Sequence, residues 1–320
     1  MTSDNKPRPR KPCKSSGRWP RLLAGLLAGA ALAFAAAGAA QAQTQQDTLL
    51  AGTLAKARET GAITIGYRES SVPFSFLNPR KEPVGYSIEL CRELVTAIGN
   101  AVDRTLEIRW APVTSDSRFD AVASGKVDLE CGSTTSNLER QKTVAFSPTI
   151  FVSGTKVLAK KGTPIGSFRD LAGRKVAVTA GTTNEKTLRD ISEKFKLGIQ
   201  LQVVRDHADG FALVKSGQAD AFATDDVLLY GLIAQENAKD DYRVVGDFLS
   251  YDPYGIMYRK NDPQLAKVIN DTFQVLAEDG EIERQYKRWF LRKLPTGASL
   301  DLPMSAQLET IIQTMSVKAE

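Results

Sequence analysis

The sequence predicts an α/β protein of two domains, and three observations support that prediction. Without its N-terminal export segment, the chain has about 278 residues, which exceeds the usual size of a single core. The element order strand, helix, strand, helix, strand occurs twice. Two segments that read as extended, 149–160 and 248–259, connect the two copies.

The two copies share a local pattern as well as an element order. Residues 119–130 and 211–222 carry Phe, Val, Ser, Gly and Asp at a constant offset of 92. Each reads as a helix with an apolar face, a Ser-Gly stop and a strand, so we expect largely parallel sheets. The flanking strand, helix and strand are predicted at 62–67, 87–98 and 106–113 in the first copy, and at 175–179, 185–195 and 200–205 in the second.

The two connectors indicate that the chain enters the second domain and then returns to the first. We therefore predict one lobe, lobe I, at residues 43–152 and 249–320, and another, lobe II, at 153–248. The two crossing strands would form a hinge between them.

The region after the second connector predicts two helices, 263–276 and 281–291. Tyr286, Trp289 and Phe290 lie on the second helix with helical spacing, which favours core packing. The tail after Pro295 is expected to wrap back on the first domain and to end in a short helix.

Residues 1–42 have the pattern of a cleavable signal peptide. A basic head is followed by the apolar run 22–37 and by Ala40-Gln41-Ala42, an A-x-A cleavage pattern. The apolar run is shorter than the approximately 20 residues that a membrane anchor needs. We therefore expect export to the periplasm.

Removal of this segment changes the charge balance of the chain. Residues 1–42 hold seven of the 42 Lys and Arg residues and one of the 37 Asp and Glu residues, which leaves 35 basic and 36 acidic side chains. The mature chain is therefore close to neutral. This balance argues against binding to nucleic acid or to an anionic membrane.

Two cysteines, Cys91 and Cys131, remain after cleavage, because Cys13 leaves with the signal segment. Disulfides persist in an oxidising compartment, so a bridge is one interpretation. Two buried free thiols are the other.

The segment 130–140 is the most informative motif of the chain. It reads as a strand end, a hydroxyl-rich turn and the first turn of a helix that carries Arg140. Hydroxyls, free N–H groups and a guanidinium together could receive a carboxylate. The competing interpretation is helix capping, because Ser136 and Glu139 have capping-box spacing.

Polar side chains follow every predicted strand at the end where ligands bind in open α/β sheets. In the first copy they are Arg68, Ser115, Arg118 and residues 133–140, and in the second Thr179, Thr182, Thr183, Asp206, His207, Asp225 and Asp226. Structural alternatives exist: Arg68 and Arg118 could be solvated, and Asp225 or Asp226 could cap a helix. Thr182 has capping-box spacing to Glu185, and His207 could be a loop residue. Because all of these residues are expected at the rim of one cleft, the interpretation that none of them binds a ligand is less favoured.

The charges of this set indicate the class of ligand. Arg68, Arg118 and Arg140 supply positive charges that pair with planar oxyanions, and Asp225 suits an ammonium group. Two carboxylates and one ammonium group describe an acidic α-amino acid. A neutral amino acid would leave arginines unmatched, which disfavours glutamine and asparagine.

Several of these segments resemble the periplasmic glutamate/aspartate-binding proteins of ABC-type importers. The resemblance covers residues 53–290 and rests on 66–75, 85–87, 114–118, 130–142, 145–147, 181–183, 206–207 and 225–226. It implies the type II periplasmic-binding-protein fold, in which two lobes close over one amino acid. It also implies delivery of L-glutamate or L-aspartate to the membrane permease subunits of an importer, and we expect the protein to be a monomer.

The resemblance also implies a role for each residue of the site. Arg140, with Ser133, Thr135 and Thr183, is expected to hold the α-carboxylate of the ligand. Asp225 is expected to hold the ammonium group, and Arg68, Ser115, Arg118 and His207 the side-chain carboxylate. No cofactor and no metal are expected, and the sequence does not decide between glutamate and aspartate.

Other functional classes are less consistent with the sequence. An enzyme on the same fold, such as a dehydratase of a cyclic amino-acid precursor, needs a general acid or base, for which Glu69 and His207 are the obvious residues. The chain lacks G-x-S-x-G and G-x-x-x-x-G-K-[ST] motifs, and a single histidine excludes a histidine-based zinc site. A receptor's sensing module is the third alternative.

Overall fold

The computed structural model describes residues 49–317. The predicted signal segment, Cys13 and the predicted cleavage position lie outside the described residues. No helix within the described range combines the length and the apolar character needed to cross a bilayer.

Two five-stranded mixed sheets organise the structure. The strands of the first sheet are β1 (Ala62–Tyr67), β5 (Glu107–Pro112), β6 (Leu129–Glu130), β7 (Val144–Phe146) and β15 (Met257–Arg259). Those of the second are β9 (Thr155–Lys160), β10 (Lys175–Thr179), β11 (Gln200–Val204), β12 (Ala221–Asp225) and β13 (Tyr242–Val245). The first sheet has the order β5-β1-β6-β15-β7, and the second has the order β11-β10-β12-β9-β13.

Each sheet is parallel on one side and antiparallel on the other. In the first sheet, β1 pairs in parallel with β5 and β6, whereas β15 runs antiparallel to β6 and β7. The second sheet repeats this arrangement, with β10 parallel to its two neighbours and β9 antiparallel to β12 and β13. The α/β class is confirmed, but the expectation of largely parallel sheets holds only for the β-α-β units. The antiparallel strands come from the connectors and their neighbours.

Residues 49–317 form nine α-helices. They are α1 (Gly52–Thr60), α2 (Tyr86–Ala101), α3 (Arg118–Ala123), α4 (Thr183–Lys194), α5 (His207–Ser216), α6 (Asp226–Gln235), α7 (Pro263–Glu278), α8 (Glu281–Phe290) and α9 (Ala306–Met315). Short 3-10 helices occupy Arg140–Lys142 and Phe168–Leu171. We call the first sheet with α1–α3 and α7–α9 the first half, and the second sheet with α4–α6 the second half.

Two short strands run side by side where the chain passes between the halves. Strand β8 (Phe151–Ser153) precedes β9, strand β14 (Asp252–Tyr254) precedes β15, and the two pair antiparallel. Both predicted connectors are therefore extended and adjacent. The lobe boundaries and the hinge function remain predictions. A small ribbon of β2 (Ser70–Ser71), β3 (Ser75–Leu77) and β4 (Pro83–Val84) extends the first half.

A cluster of aromatic rings forms much of the core of the first half. Phe74 contacts Tyr86, Phe151, Tyr254 and Phe290 edge to face, with ring centroids 5.0–6.2 Å apart. These geometries are the favourable ones for aromatic pairs. The cluster therefore joins α2 and α8 to the two connecting strands, β8 and β14.

The C-terminal region packs onto the first half. Tyr286, Trp289 and Phe290 are buried, which confirms their predicted role in the core. Helix α9 contacts α7 and buries Leu308 and Ile312, so the tail ends in the predicted short helix.

Cys91 on α2 and Cys131 after β6 form a disulfide, with their Cα atoms 6.4 Å apart. The bridge ties α2 to the strand that leads into segment 132–140. This arrangement corresponds to the first of the two interpretations that the sequence left open.

Reduction of this disulfide should lower the free energy of unfolding by about 3–4 kcal/mol, because the bridge closes a loop of about 40 residues. Denaturant unfolding with and without reductant measures the change. The double variant Cys91→Ala/Cys131→Ala should be insensitive to reductant. Two titratable thiols in the denatured, unreduced protein would contradict the assignment.

Candidate functional site

The facing surfaces of the two halves enclose a small, narrow cavity. It is lined by Ser115, Arg118, Ser133, Thr135, Thr182, Thr183, Asn184, His207, Asp225 and Leu228. We call this space the central cavity. Seven of the nine residues predicted for the site line it. The other two, Arg68 and Arg140, contact residues at its border, as described below.

Arg118 is the first residue of α3 and is almost completely buried. Its Nε has no hydrogen-bond partner among residues 49–317. Burial, together with the charge of Arg140, lowers the pKa of Arg118 to about 9, and the charge of Glu130 opposes this shift. The side chain is thus a buried cation that lacks a sufficient acceptor, and the solvated-arginine interpretation is wrong for it.

Arg68 follows β1 and is fully buried. Its Nη2 donates to Asp206 Oδ1 at 3.1 Å. Its Nε and Nη1 have no partner in the described part of the chain. The solvated alternative is therefore wrong for this arginine as well, and two of its donors remain available to a ligand.

Arg140 approaches the same region from segment 132–140. Its Nη1 donates to the carbonyl of Thr135 at 2.9 Å, and its Nη2 donates to the carbonyl of Gly181 in the other half at 3.2 Å. The guanidinium groups of Arg118 and Arg140 both lie over the ring of Phe119, at 5.1 and 4.8 Å from its centroid. The arginines therefore converge, as the sequence predicted.

The segment around Arg140 differs from its predicted structure. It contains only the 3-10 helix Arg140–Lys142, which has no side-chain cap, so neither the helix start nor the capping box of Ser136 and Glu139 is present. Backbone bonds hold it instead: Ser136 N–H donates to the carbonyl of Pro253, and Gly255 N–H donates to that of Thr134. These contacts lie more than a hundred residues away in sequence, where local periodicity gives no signal.

Hydroxyl groups complete the lining of the cavity. Ser115 Oγ and Ser133 Oγ are buried and lack hydrogen-bond partners within residues 49–317. Thr135 Oγ1 and Thr183 Oγ1 lie 3.5 Å apart across the two halves. Thr182 caps α4 by accepting from Glu185 N–H at 3.1 Å, so its structural interpretation is correct.

His207 begins α5 and is buried, so the loop interpretation is wrong for it. Its Nδ1 lies 3.0 Å from Thr179 Oγ1. Burial, reinforced by the charge of Arg68, lowers the pKa of His207, although Asp206 opposes the shift. The imidazole is therefore neutral near pH 7.

Asp225 is the N-cap residue of α6, but its side chain makes no capping bond. Its Oδ1 accepts from Asn184 Nδ2 at 2.8 Å, and its Oδ2 accepts from the hydroxyl of Tyr254. Burial and the neighbouring carboxylate of Asp252 raise the pKa of Asp225 to about 7. A cationic group in the cavity would stabilise the ionised form of Asp225 and lower this pKa. Asp226, in contrast, is a structural residue, because it accepts from Ser153 Oγ at 2.6 Å and from Val227 N–H at 2.8 Å.

Sequence reasoning gave no role to three residues of this region. Glu130 is fully buried at the end of β6, and its charge favours the cationic forms of Arg118 and Arg140. Its Oε2 accepts from Thr134 Oγ1 at 2.6 Å. Asn184 positions Asp225, and Asp206 pairs with Arg68. Glu130 offered a signal, because a glutamate in a buried strand is rare without a charged neighbour.

Two α/β halves that meet around a cavity lined with charged and hydroxyl-bearing side chains are typical of proteins that enclose a small solute. The chain belongs to the bacterial extracellular solute-binding proteins, family 3, whose model matches residues 63–292. The family predicted from the motifs is thereby confirmed, and the type II periplasmic-binding fold with it.

Named relatives and a solved structure agree with this assignment. The L-glutamate/L-aspartate-binding protein of Pseudomonas aeruginosa is 41% identical over 273 residues, which cover 84% of this chain and 90% of the relative. The glutamate/aspartate import solute-binding protein of Escherichia coli is 38% identical, over 91% of this chain and 97% of the relative. The crystal structure of an ancestral amino acid-binding protein, a precursor of cyclohexadienyl dehydratase, is 30% identical with a TM-score of 0.65, over 74% of this chain and 99% of that one.

Replacement of Arg118 by methionine should stabilise the ligand-free protein by about 1–3 kcal/mol, because it removes a buried cation that forms no ion pair with a carboxylate of the described residues. Denaturant unfolding measures the difference. Arg109→Met, which removes an exposed arginine from β5, is the matched control and should change stability by no more than about 0.5 kcal/mol. A destabilisation of Arg118→Met typical of core damage would show that Arg118 is a structural residue.

Proposed function

We propose that the protein is an extracytoplasmic solute-binding protein that captures glutamate or aspartate and delivers it to the membrane subunits of an ATP-driven importer. One observation carries this proposal: the buried donors around the central cavity outnumber the acceptors that the protein offers them. Arg68, Ser115, Arg118 and Ser133 all contribute such donors. Each buried polar group left unsatisfied costs about 1–3 kcal/mol, so a ligand rich in oxygen acceptors is favoured.

The distribution of charge supports an acidic α-amino acid as that ligand. Arg118 and Arg140 make no ion pair with a carboxylate among the described residues. Asp225 at the cavity has a pKa raised to about 7 by burial and by the charge of Asp252, so a cationic group beside it would favour its ionised form. Two anionic groups and one cationic group on a small molecule would complement all three. Both named relatives are described as binding proteins for glutamate and aspartate, which supports the same ligand here.

The predicted role of each residue is compatible with its position. Arg140 lies beside Thr135 and Thr183, the residues proposed to hold the α-carboxylate with Ser133. Asp225 would take the ammonium group. The proposed side-chain carboxylate site consists of Arg68, Ser115, Arg118 and His207, in which the neutral imidazole adds hydrogen bonds without adding charge.

Closure of the two halves around the ligand is the proposed mechanism of capture. In this structure the halves already touch through Arg140 and Gly181, Thr135 and Thr183, and Tyr254 and Asp225. A ligand shifts the equilibrium toward this state only by binding it more tightly than the open state. Since the proposed ligand would contact residues of both halves, it has that differential affinity.

An enzymatic function is the alternative, and the described geometry supports it less well. A dehydratase needs a general acid or base that reaches the substrate. Glu69 is exposed and does not line the central cavity. His207 is neutral and directs one nitrogen to Thr179. Simple binding explains both residues without further assumptions.

We further propose that the protein works in the periplasm as a monomer, after removal of residues 1–42. The family is extracellular by description, which supports export. The nearly neutral mature chain is consistent with free diffusion between importer and outer compartment.

Calorimetric titration with glutamate, aspartate, glutamine and asparagine tests the proposed ligand. We expect the acids to bind at least about 100-fold more tightly than their amides, because the amides leave a buried guanidinium unmatched. Arg140→Ala should abolish binding, whereas Arg109→Ala should not alter it. Equal affinities for glutamate and glutamine would refute the proposed ligand class.

The affinity for glutamate should fall about tenfold between pH 8 and pH 6. Asp225 has a pKa of about 7 in the free protein, and an ammonium partner lowers that pKa, so binding below pH 7 must expel a proton. Titrations in buffers of different ionisation enthalpy should report that proton. Asp225→Asn should bind weakly with no such pH dependence. An affinity that stays constant or rises in acid would contradict the proposed role of Asp225.

Gly231→Ala should weaken ligand binding at least about tenfold without destabilising the free protein. A Cβ at this position of α6 would lie 2.3 Å from the carbonyl oxygen of Val72 in the other half, so closure would be blocked. Within the helix itself alanine is favoured over glycine by about 1 kcal/mol. Calorimetry and thermal unfolding separate the two effects. Gln235→Ala, at an exposed position of the same helix, is the control. Unchanged affinity would argue against closure.

A further inference from the structure

We propose that Asp206 is a positioning residue for ligand binding: it pairs with Arg68 across the two halves and thereby holds that guanidinium group in the binding geometry. The inference rests on the proposed function, since it concerns the side-chain carboxylate end of the same site. Sequence reasoning placed Asp206 at a strand end without a role in binding.

The position of the Asp206 carboxylate is fixed by the start of α5. Asp206 is the N-cap residue, and its Oδ1 accepts from His207 N–H at 2.7 Å. Its side chain also accepts from the N–H of Asp209, and its own N–H donates to Asp209 Oδ2 at 3.2 Å. This reciprocal capping box restrains both the backbone and the side chain. The carboxylate therefore points across the gap without depending on Arg68 for its orientation.

The same Oδ1 atom receives two donors from the first half. Arg68 Nη2 donates at 3.1 Å, and Ser70 Oγ donates as well. Ser70 Oγ also accepts from Ala208 N–H at 3.3 Å, so the ribbon strand β2 and helix α5 are joined in both directions. A capping residue alone would not need these contacts.

The pair determines which donors of Arg68 remain for the ligand. Nη2 is occupied by Asp206, whereas Nε and Nη1 are buried and have no partner within residues 49–317. Because the Arg68 side chain is 0% exposed, its charge requires an anion nearby. Asp206 comes from the other half, so it supplies this anion only when the halves are closed.

Charge balance gives the pair a second consequence. Arg68 and Asp206 offset one another and His207 is neutral, so Arg118 provides the remaining positive charge at this end of the cavity. One ligand carboxylate matches that charge. If Arg68 were absent, the unpaired Asp206 carboxylate would instead repel the ligand and oppose closure.

A double-variant cycle tests the inference with glutamate titrations. Arg68→Met should weaken binding by about 30-fold or more, since it removes one partner of a buried charge pair as well as a ligand contact. Adding Asp206→Asn to that variant should recover affinity by about tenfold, because the repelling charge is gone while asparagine still caps the helix. In the wild-type background the same substitution should not improve binding.

Asp209→Asn in the Arg68→Met background is the matched control, because it alters the other half of the capping box without touching Arg68. It should leave the affinity within about twofold. If Asp206→Asn gives no recovery beyond this control, Asp206 is only a helix cap and the inference is wrong. If the wild-type protein fails to bind either acidic amino acid, the proposed function fails instead, which is a separate outcome.

Discussion

The structure depends on one electrostatic constraint: guanidinium groups are buried between the two halves with too few protein acceptors. Arg68 has one carboxylate partner, and Arg118 and Arg140 have none among residues 49–317. Burying a cation in this way costs several kcal/mol unless an anion accompanies it. The site is therefore incomplete in electrostatic terms, and its missing component is a small anionic molecule.

The rest of the fold tolerates this unfavourable region because strong packing surrounds it. The aromatic cluster around Phe74 and Tyr254 packs against the connecting strands β8 and β14, and the hydroxyl of Tyr254 donates to Asp225 at the cavity. The disulfide holds α2 against the strand that ends at Glu130. Packed aromatic rings and a disulfide thus lie beside the site, whereas the site itself holds buried donors that have no partner among residues 49–317.

Elements with strong local signals were predicted accurately. The alternating segments 62–67 and 175–179 are strands with those bounds, and the predicted helices at 87–98 and 185–195 correspond to α2 and α4. The convergence of the arginines also followed from their positions after strands. This success has a simple cause: the period of hydrophobic residues and the ends of parallel strands are local properties.

Features that depend on distant partners were missed or predicted wrongly. The segment before Arg140 has the composition of a helix start, but backbone bonds to residues 253–255 hold it in another conformation. Asp206 has the composition of a simple cap, yet its partner Arg68 lies 138 residues earlier in the chain. Local composition does not show which side chains of one half will face the other half.

A co-crystal structure with L-glutamate would show directly whether the guanidinium groups hold the ligand. One carboxylate of the ligand should lie against Arg140, the other against Arg118 and the free nitrogens of Arg68, and the ammonium group against Asp225. A ligand bound elsewhere, or guanidinium groups that contact only water and protein, would contradict this arrangement.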